Sequence, residues 1–113
     1  MYKLEAIIRP EKLDDVKNAL SGAGYNGMNI VHVTGRGVQR GIVHQGRGGE
    51  TFTVDMLPKV KVEVVVKDAD SEKVVQLICN AARTGNIGDG KIFLVPVADA
   101  IRVRTGERGD KAV

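Results

Sequence analysis

The chain has 113 residues, a formal net charge of +3 and a hydrophobic fraction of 42%. These values are typical of a single soluble globular domain and exclude a disordered or collagen-like chain. No apolar run reaches the ~18 residues that span a membrane, and the chain does not begin with the layout of a signal peptide. The single cysteine, Cys79, cannot form an internal disulfide, so we expect a reducing, cytosolic compartment.

Glycine accounts for 14 residues, about twice its ordinary share, whereas only 2 Tyr and 2 Phe are aromatic. Lys and Arg (17) slightly outnumber Asp and Glu (14). This composition indicates a backbone that wraps around anions rather than a surface on which bases stack.

The first half of the chain predicts a strand, a helix and a second strand. Residues 2–8 alternate, with Leu4, Ala6 and Ile8 on one face. Pro10 suits the start of a helix, which we expect to end near Gly22. The β-branched residues 28–34 predict the second strand.

Residues 35–53 contain six glycines and three arginines, and they predict a long loop whose ends continue the flanking strands. Loops of this length are usually functional or disordered. Gln39, at the loop entrance, and Lys59, at its exit, would both project near the base of the loop if the second and third strands pair.

The second half repeats the strand–helix–strand order. Residues 59–66 alternate with valine at every second position, and Asp70 and Ser71 can cap a helix whose apolar stripe runs from Val74 to Ala82. A glycine-rich turn precedes a fourth strand over 91–97, and residues 101–105 predict a short fifth strand. The order βαββαβ indicates a ferredoxin-like α+β fold (split βαβ), an antiparallel sheet with two helices on one face.

The turn over residues 84–91 contains Gly85-x-x-x-x-Gly90-Lys91, which is similar to a P-loop. Ile92 follows instead of Ser or Thr, and a strand follows instead of a helix, so a true P-loop is excluded. Successive glycine amides can still converge on an anion beside a lysine. A tight helix-to-strand turn with a solvated Lys91 explains the same residues.

Other candidate residues are each ambiguous alone. Arg102 and Arg104 in an extended segment would share one face and could bind phosphate oxygens, or form a solvated basic edge. Glu63 could accept from a ligand amine or remain a solvated strand carboxylate. His32 and His44 lack metal-ligand partners at a useful spacing. The sequence also shows no Ser-His-Asp or Cys-His arrangement and no pair of catalytic carboxylates.

Several ordered motifs together resemble the PII nitrogen-regulatory signal proteins over nearly the whole chain. The most specific is Thr84-Gly85-Asn86-Ile87-Gly88-Asp89-Gly90-Lys91-Ile92-Phe93. The others lie at residues 5–10, 35–39, 54–61 and 102–107. The resemblance implies one domain over 1–113 that forms a homotrimer with nucleotide sites between subunits. It also implies a partner-docking T-loop at about 37–55, a B-loop at about 83–91 and a charged tail over 105–113.

The resemblance also implies site residues. ATP or ADP phosphates would contact Gly88, Asp89, Gly90 and Lys91 and, from the neighbouring subunit, Arg102 and Arg104. The adenine end would be surrounded by Ile7, Gly27, Met28, Asn29, Glu63 and Val65. The rest of the nucleotide site would be formed by Gly35, Gly37, Val38, Gln39, Thr84 and Gly85. Gln39 would ligate the Mg²⁺ of MgATP, and Lys59 would pair with a carboxylate of 2-oxoglutarate beside Gln39, Gly41, Ile87 and Gly88.

Three departures distinguish the chain from many relatives. Val38 replaces an arginine, which removes one phosphate contact, and Asn29 replaces a threonine but can still hydrogen-bond the adenine. Thr51 and Phe52 stand where many bacterial members carry a nucleotidylated tyrosine. We therefore expect signalling by loop shape alone, with Arg47 at the partner-docking surface.

The function implied is that of a non-catalytic cytoplasmic sensor, recruited reversibly to the membrane by an ammonium transporter, with glutamine synthetase or another nitrogen-assimilation enzyme as a further target. An alternative is an RNA-binding module, since RRM domains share the βαββαβ order. However, those domains stack bases on sheet aromatics, and residues 59–66 contain none. A third hypothesis is a slow ATPase, but no residue is evident that could act as the general base for hydrolysis.

Overall fold

A computed structural model describes residues 1–38, 44–45, 51–52 and 54–113, with side-chain environments for residues 1–34 and 57–113. The strands are β1 (Tyr2–Ile8), β2 (Met28–Val38), β3 (His44–Gln45), β4 (Thr51–Phe52), β5 (Val54–Val66) and β6 (Lys91–Pro96). The helices are α1 (Leu13–Gly22) and α2 (Ser71–Ala82). Short 3₁₀ turns over Pro10–Lys12 and Asp68–Asp70 lead into the two helices, and a third lies at Gly109–Ala112.

The main sheet has the strand order β2-β5-β1-β6, and every neighbouring pair is antiparallel. This arrangement confirms the predicted ferredoxin-like α+β fold. β2 and β5 pair from Met28 opposite Val64 to Val38 opposite Val54, so both strands continue beyond residues 34 and 59, as the loop ends suggest. The short strands β3 and β4 form a separate pair, which the sequence did not indicate.

The core lies between the sheet and the two helices. Leu4, Ala6 and Ile8 of β1 face it, as do the alternating valines 60, 62, 64 and 66 of β5. The helices contribute Val16, Leu20, Val74, Ile78 and Ala82, as their helical spacing predicts. Full burial of each branched side chain stabilises the fold by about 1.5–3 kcal/mol.

The opposite sheet face, called here the open face, carries mixed side chains. Lys3 and Glu5 of β1 lie on it beside Lys61 and Glu63 of β5. It also includes Phe93, which is opposite Glu5 on β6 and is 48% exposed. Exposed apolar side chains among charged ones are typical of an interaction surface.

The predicted fifth strand over 101–105 is wrong. Only Ile101 forms an isolated bridge, with Arg108, and the chain turns immediately afterwards. The amide of Gly106 donates to the carbonyl of Arg102 at 2.7 Å, with Gly106 at a φ of 74° that favours glycine. The fourth strand ends at Pro96 instead of residue 97. Neither helix in the described part of the chain is long and apolar enough to cross a membrane.

Candidate functional site

The turn between α2 and β6, residues 83–90, is organised around the carboxylate of Asp89. Its Oδ2 accepts hydrogen bonds from the backbone amides of Thr84 and Gly85, both at 2.9 Å. Its Oδ1 accepts from the Thr84 hydroxyl at 2.5 Å and from Nε of Arg9 at 3.1 Å. The Thr84 hydroxyl above all, then the two amides and Arg9, hold the pKa of the Asp89 carboxyl well below its usual range. Asp89 is therefore a charged, fully engaged group that fixes the shape of the turn.

Three glycines give this turn its path. Gly85, Gly88 and Gly90 have φ values of 89°, 105° and 101°, in the left-handed region. At Gly90 a side chain is also excluded by space, because a Cβ would lie 1.7 Å from the carbonyl oxygen of Ile7. The turn therefore packs directly against the end of β1, and only glycine fits at this contact.

Two cationic side chains hold the same turn from the sheet. Nζ of Lys59 donates to the carbonyl oxygen of Gly88 at 2.6 Å, and a guanidinium nitrogen of Arg9 donates to the carbonyl oxygen of Ile87 at 2.9 Å. Burial, and then the charge of Arg9, lower the pKa of Lys59. Arg9 is already paired with the Asp89 carboxylate, so Lys59 is the cation of this turn that an anionic ligand could engage, in place of the Gly88 carbonyl.

A second group of predicted residues lines a cleft of about 740 Å³. Gly27, Asn29, Glu63 and Val65 line it together with Arg102. Within one chain, Arg102 thus lies with the residues predicted for the adenine end and not with the turn over 83–90. The guanidinium of Arg102 is 3.6 Å from the carboxylate of Glu107.

Ile7 lies between the two groups. It is opposite Lys61 on β5 and Lys91 on β6, whereas Glu63 is opposite Glu5 and Asn29. Ile7 and Glu63 are therefore diagonal neighbours on the open face. A ligand that lies across Ile7 and Glu63 would contact both the turn over 83–90 and the residues that line the cleft.

The chain matches the family model described as "Nitrogen regulatory protein P-II" over residues 1–107. The chain belongs to the P-II family. It is 53% identical to nitrogen regulatory protein P-II 2 of Methanothermobacter thermautotrophicus, over 100% of this chain and 97% of that protein. It is also 53% identical to the P-II protein of Cereibacter sphaeroides and 55% identical to that of Nostoc punctiforme, over the full length of each.

Membership of the P-II family confirms the resemblance stated from the motifs and places the chain among regulatory proteins of nitrogen metabolism. In the terms of that resemblance, the B-loop would span about residues 83–91 and the T-loop about residues 37–55, which include the ends of β2 and β5. Gln39, Gly41 and Arg47 lie outside the described residues. Gly35, Gly37 and Val38 lie in β2, and Gly37 is opposite Asp55 at the base of the T-loop.

The structure refines the roles of several predicted P-II site residues. The Asp89 side chain is occupied by protein donors and would repel phosphate, so only its backbone amide suits a phosphate contact. The Met28 side chain packs partly against the core, on the opposite sheet face from Glu63, and its amide donates to the carbonyl of Asn26. Arg104 lies in the turn over 103–105 and not in an extended segment, so the predicted alignment of Arg102 and Arg104 is wrong.

Sequence reasoning missed Arg9 as a residue of the site. Its side chain donates hydrogen bonds to Ile87 and Asp89, which are 78 and 80 positions further along the chain. A local sequence pattern cannot predict contacts at such a separation. The one sequence feature that could have indicated its role is its place at the end of β1, immediately before Pro10.

His32 is exposed on β2 and Cys79 is half-buried on α2. The described residues contain no group of three or more His, Cys, Asp or Glu side chains that could hold a metal ion.

Proposed function

We propose that this protein is a non-catalytic sensor that binds ATP or ADP and 2-oxoglutarate in clefts between the subunits of a homotrimer. The observation that carries the proposal is the B-loop, where Lys59 and Arg9 bind backbone carbonyls of a glycine-rich turn. A lysine beside a glycine-rich turn suits anionic groups, which both proposed ligands carry. The residues present therefore fit a nucleotide phosphate and a dicarboxylate.

The separation of the two groups supports a site shared between chains. The B-loop residues, including Lys91, lie apart from the cleft lined by Asn29, Glu63 and Arg102. In the proposed trimer, the B-loop of one subunit and Arg102 and Arg104 of its neighbour hold the phosphates. The open face, with its exposed Phe93, provides the contact surface between subunits.

The effector site is proposed at Lys59. One carboxylate of 2-oxoglutarate would take the Lys59 ammonium from the carbonyl of Gly88, beside Ile87 and Gly41. Mg²⁺ would be held by the phosphates and Gln39, and when bound it would supply a cation to which the keto acid is drawn. Lys59 then orients the acid, while the B-loop adjusts to the loss of its hydrogen bond.

The output is proposed to be the shape of the T-loop. β2 and β5 are paired as far as Val38 and Val54, so the T-loop starts directly from the sheet that holds Lys59. Ligands shift its population of shapes only if they prefer one of them. The loop, with Arg47, would engage an ammonium transporter, and through it the membrane, or a nitrogen-assimilation enzyme such as glutamine synthetase. Between these contacts the protein would be cytoplasmic.

Equilibrium binding and a loop deletion test the proposal together. ATP should bind the intact protein, and single-stranded RNA should not. Lys91→Ala and Arg104→Ala should each weaken ATP binding about tenfold or more, since a charge-assisted contact contributes ~1.5–3 kcal/mol. Deletion of residues 42–52 should spare ATP binding but abolish capture of the partner from native membranes and cytosol, and Arg47→Ala should weaken it. Unchanged ATP affinity in both point variants, or full partner capture by the deletion variant, would contradict the proposal.

A further inference from the structure

Two carboxylates lie directly opposite each other on the open face. Glu5 of β1 is the cross-strand partner of Glu63 of β5. Like charges at directly opposite positions destabilise a strand pair. Both side chains are only partly exposed, 23% for Glu5 and 20% for Glu63, so water screens them incompletely. The pair therefore needs nearby cations to keep its geometry.

Lys3 is the cation that both carboxylates share. Its Nζ is 2.9 Å from Oε1 of Glu5 and 3.7 Å from Oε2 of Glu63. Lys61 pairs with Glu63, with Nζ 3.6 Å from Oε1. The hydrogen bond to Glu5 raises the pKa of Lys3. The same bond lowers the pKa of Glu5, and the charge of Lys61 also contributes to that lowering. Both shifts favour the charged forms of Lys3 and Glu5.

The network borders the cleft that is proposed for the nucleotide. Lys3 and Glu63 both line the cleft, and Asn29, which is opposite Glu63 on β2, lines it as well. A carboxylate only accepts hydrogen bonds, and an amide both donates and accepts. Glu63 and Asn29 together thus suit the amino and hydroxyl groups of a nucleoside, provided that Glu63 stays charged and turned towards the cleft.

We propose that Lys3 is a positioning residue for the nucleotide: it holds the Glu63 carboxylate against the repulsion of Glu5, so that Glu63 accepts a hydrogen bond from the ligand. The inference rests on the proposed nucleotide site. Lys3 also lines the cleft, so a direct contact with the nucleotide is the competing explanation, and a penalty that persists without the Glu63 carboxylate would reveal it. Without Lys3, Glu63 would turn away from Glu5 and lose its alignment with Asn29.

The test is a double-mutant cycle on the intact protein, with MgATP affinity measured by calorimetry. Lys3→Met removes the charge and keeps most of the side-chain length, and it should weaken MgATP binding about fivefold, the order of coupling found within one ion-pair network. Lys3→Arg keeps the cation and should bind within about twofold of wild type. In a Glu63→Gln background, Lys3→Met should cause no further loss. Lys17→Met, at an exposed lysine of α1, is the matched control and should change nothing.

Two results would overturn the proposed role of Lys3. A Lys3→Met affinity equal to wild type overturns it, and so does a penalty that persists in full in the Glu63→Gln background. Circular dichroism and light scattering check that each variant folds and assembles. If Lys3→Met fails these checks, Lys3→Gln replaces it in the same cycle. If the wild type binds no ATP, the proposed function fails and this inference fails with it, whereas normal wild-type binding with a silent Lys3→Met refutes this inference alone.

Discussion

Nζ of Lys59 donates a hydrogen bond to the carbonyl oxygen of Gly88 across 2.6 Å, which joins β5 to the B-loop. Burial and the neighbouring charge of Arg9 lower the pKa of this lysine, so its charged form is less favourable here than in water. A carboxylate is a stronger acceptor for an ammonium than a neutral carbonyl. An anion that binds Lys59 must therefore compete with Gly88, and it links occupancy of this site to the shape of the B-loop.

Lys59→Ala should remove most 2-oxoglutarate binding and leave ATP binding largely intact. The lost charge-assisted contact is worth ~1.5–3 kcal/mol, or about tenfold or more in affinity. Calorimetry at saturating MgATP measures the effect, with Lys17→Ala as a control for the loss of a positive charge elsewhere. Equal 2-oxoglutarate affinity in wild type and Lys59→Ala would exclude Lys59 as the carboxylate partner.

Gly90→Ala should be far more destabilising than Gly85→Ala. Both glycines have positive φ values, so either substitution strains the backbone by about 1–2 kcal/mol. At Gly90 the new Cβ would also overlap the carbonyl oxygen of Ile7, whereas at Gly85 no atom lies within 4 Å. Urea unfolding measures the two free energies. Similar losses for both variants would mean that the B-loop does not pack against β1 as described.

Asp89→Asn should lower stability more at neutral pH than in acid. Because the folded protein holds the pKa of Asp89 below its ordinary value of 3.8, this carboxylate stabilises the fold above that pH. The contribution is lost as the pH falls below about 4, towards the lower pKa of the folded state. The difference in free energy of unfolding between wild type and Asp89→Asn should therefore shrink from pH 7 to pH 3. A difference that stays constant with pH would contradict the assigned hydrogen bonds.

Local pattern predicted most of the fold but only part of the site. Alternation in β1 and β5 identified the buried faces, because a half-buried strand repeats every two residues. The alternating Ile101-Arg102-Val103-Arg104 looks like a strand for the same reason, but the turn at Gly106 and the pairing of Thr105 with Glu107 override it. The bond between Arg9 and Asp89 depends on how β1 meets β6, which no window of the sequence contains.

Assembly through the open face predicts a homotrimer in solution. Phe93→Asp places a third carboxylate beside Glu5 and Glu63 on this face and should dissociate the trimer. Asn18→Asp, at an exposed residue of α1 away from this face, is the matched control and should leave the trimer intact. Light scattering at micromolar concentration reports the mass. A monomeric wild type would refute both the assembly and the shared nucleotide site.

Calorimetry of each ligand with and without the other, in the presence of Mg²⁺, decides whether this protein senses nucleotide and keto acid at one linked site. We expect 2-oxoglutarate to tighten ATP binding and ATP to tighten 2-oxoglutarate binding by the same factor, because coupling between two sites is reciprocal. Independent binding of the two ligands, or no binding of ATP, would contradict this expectation.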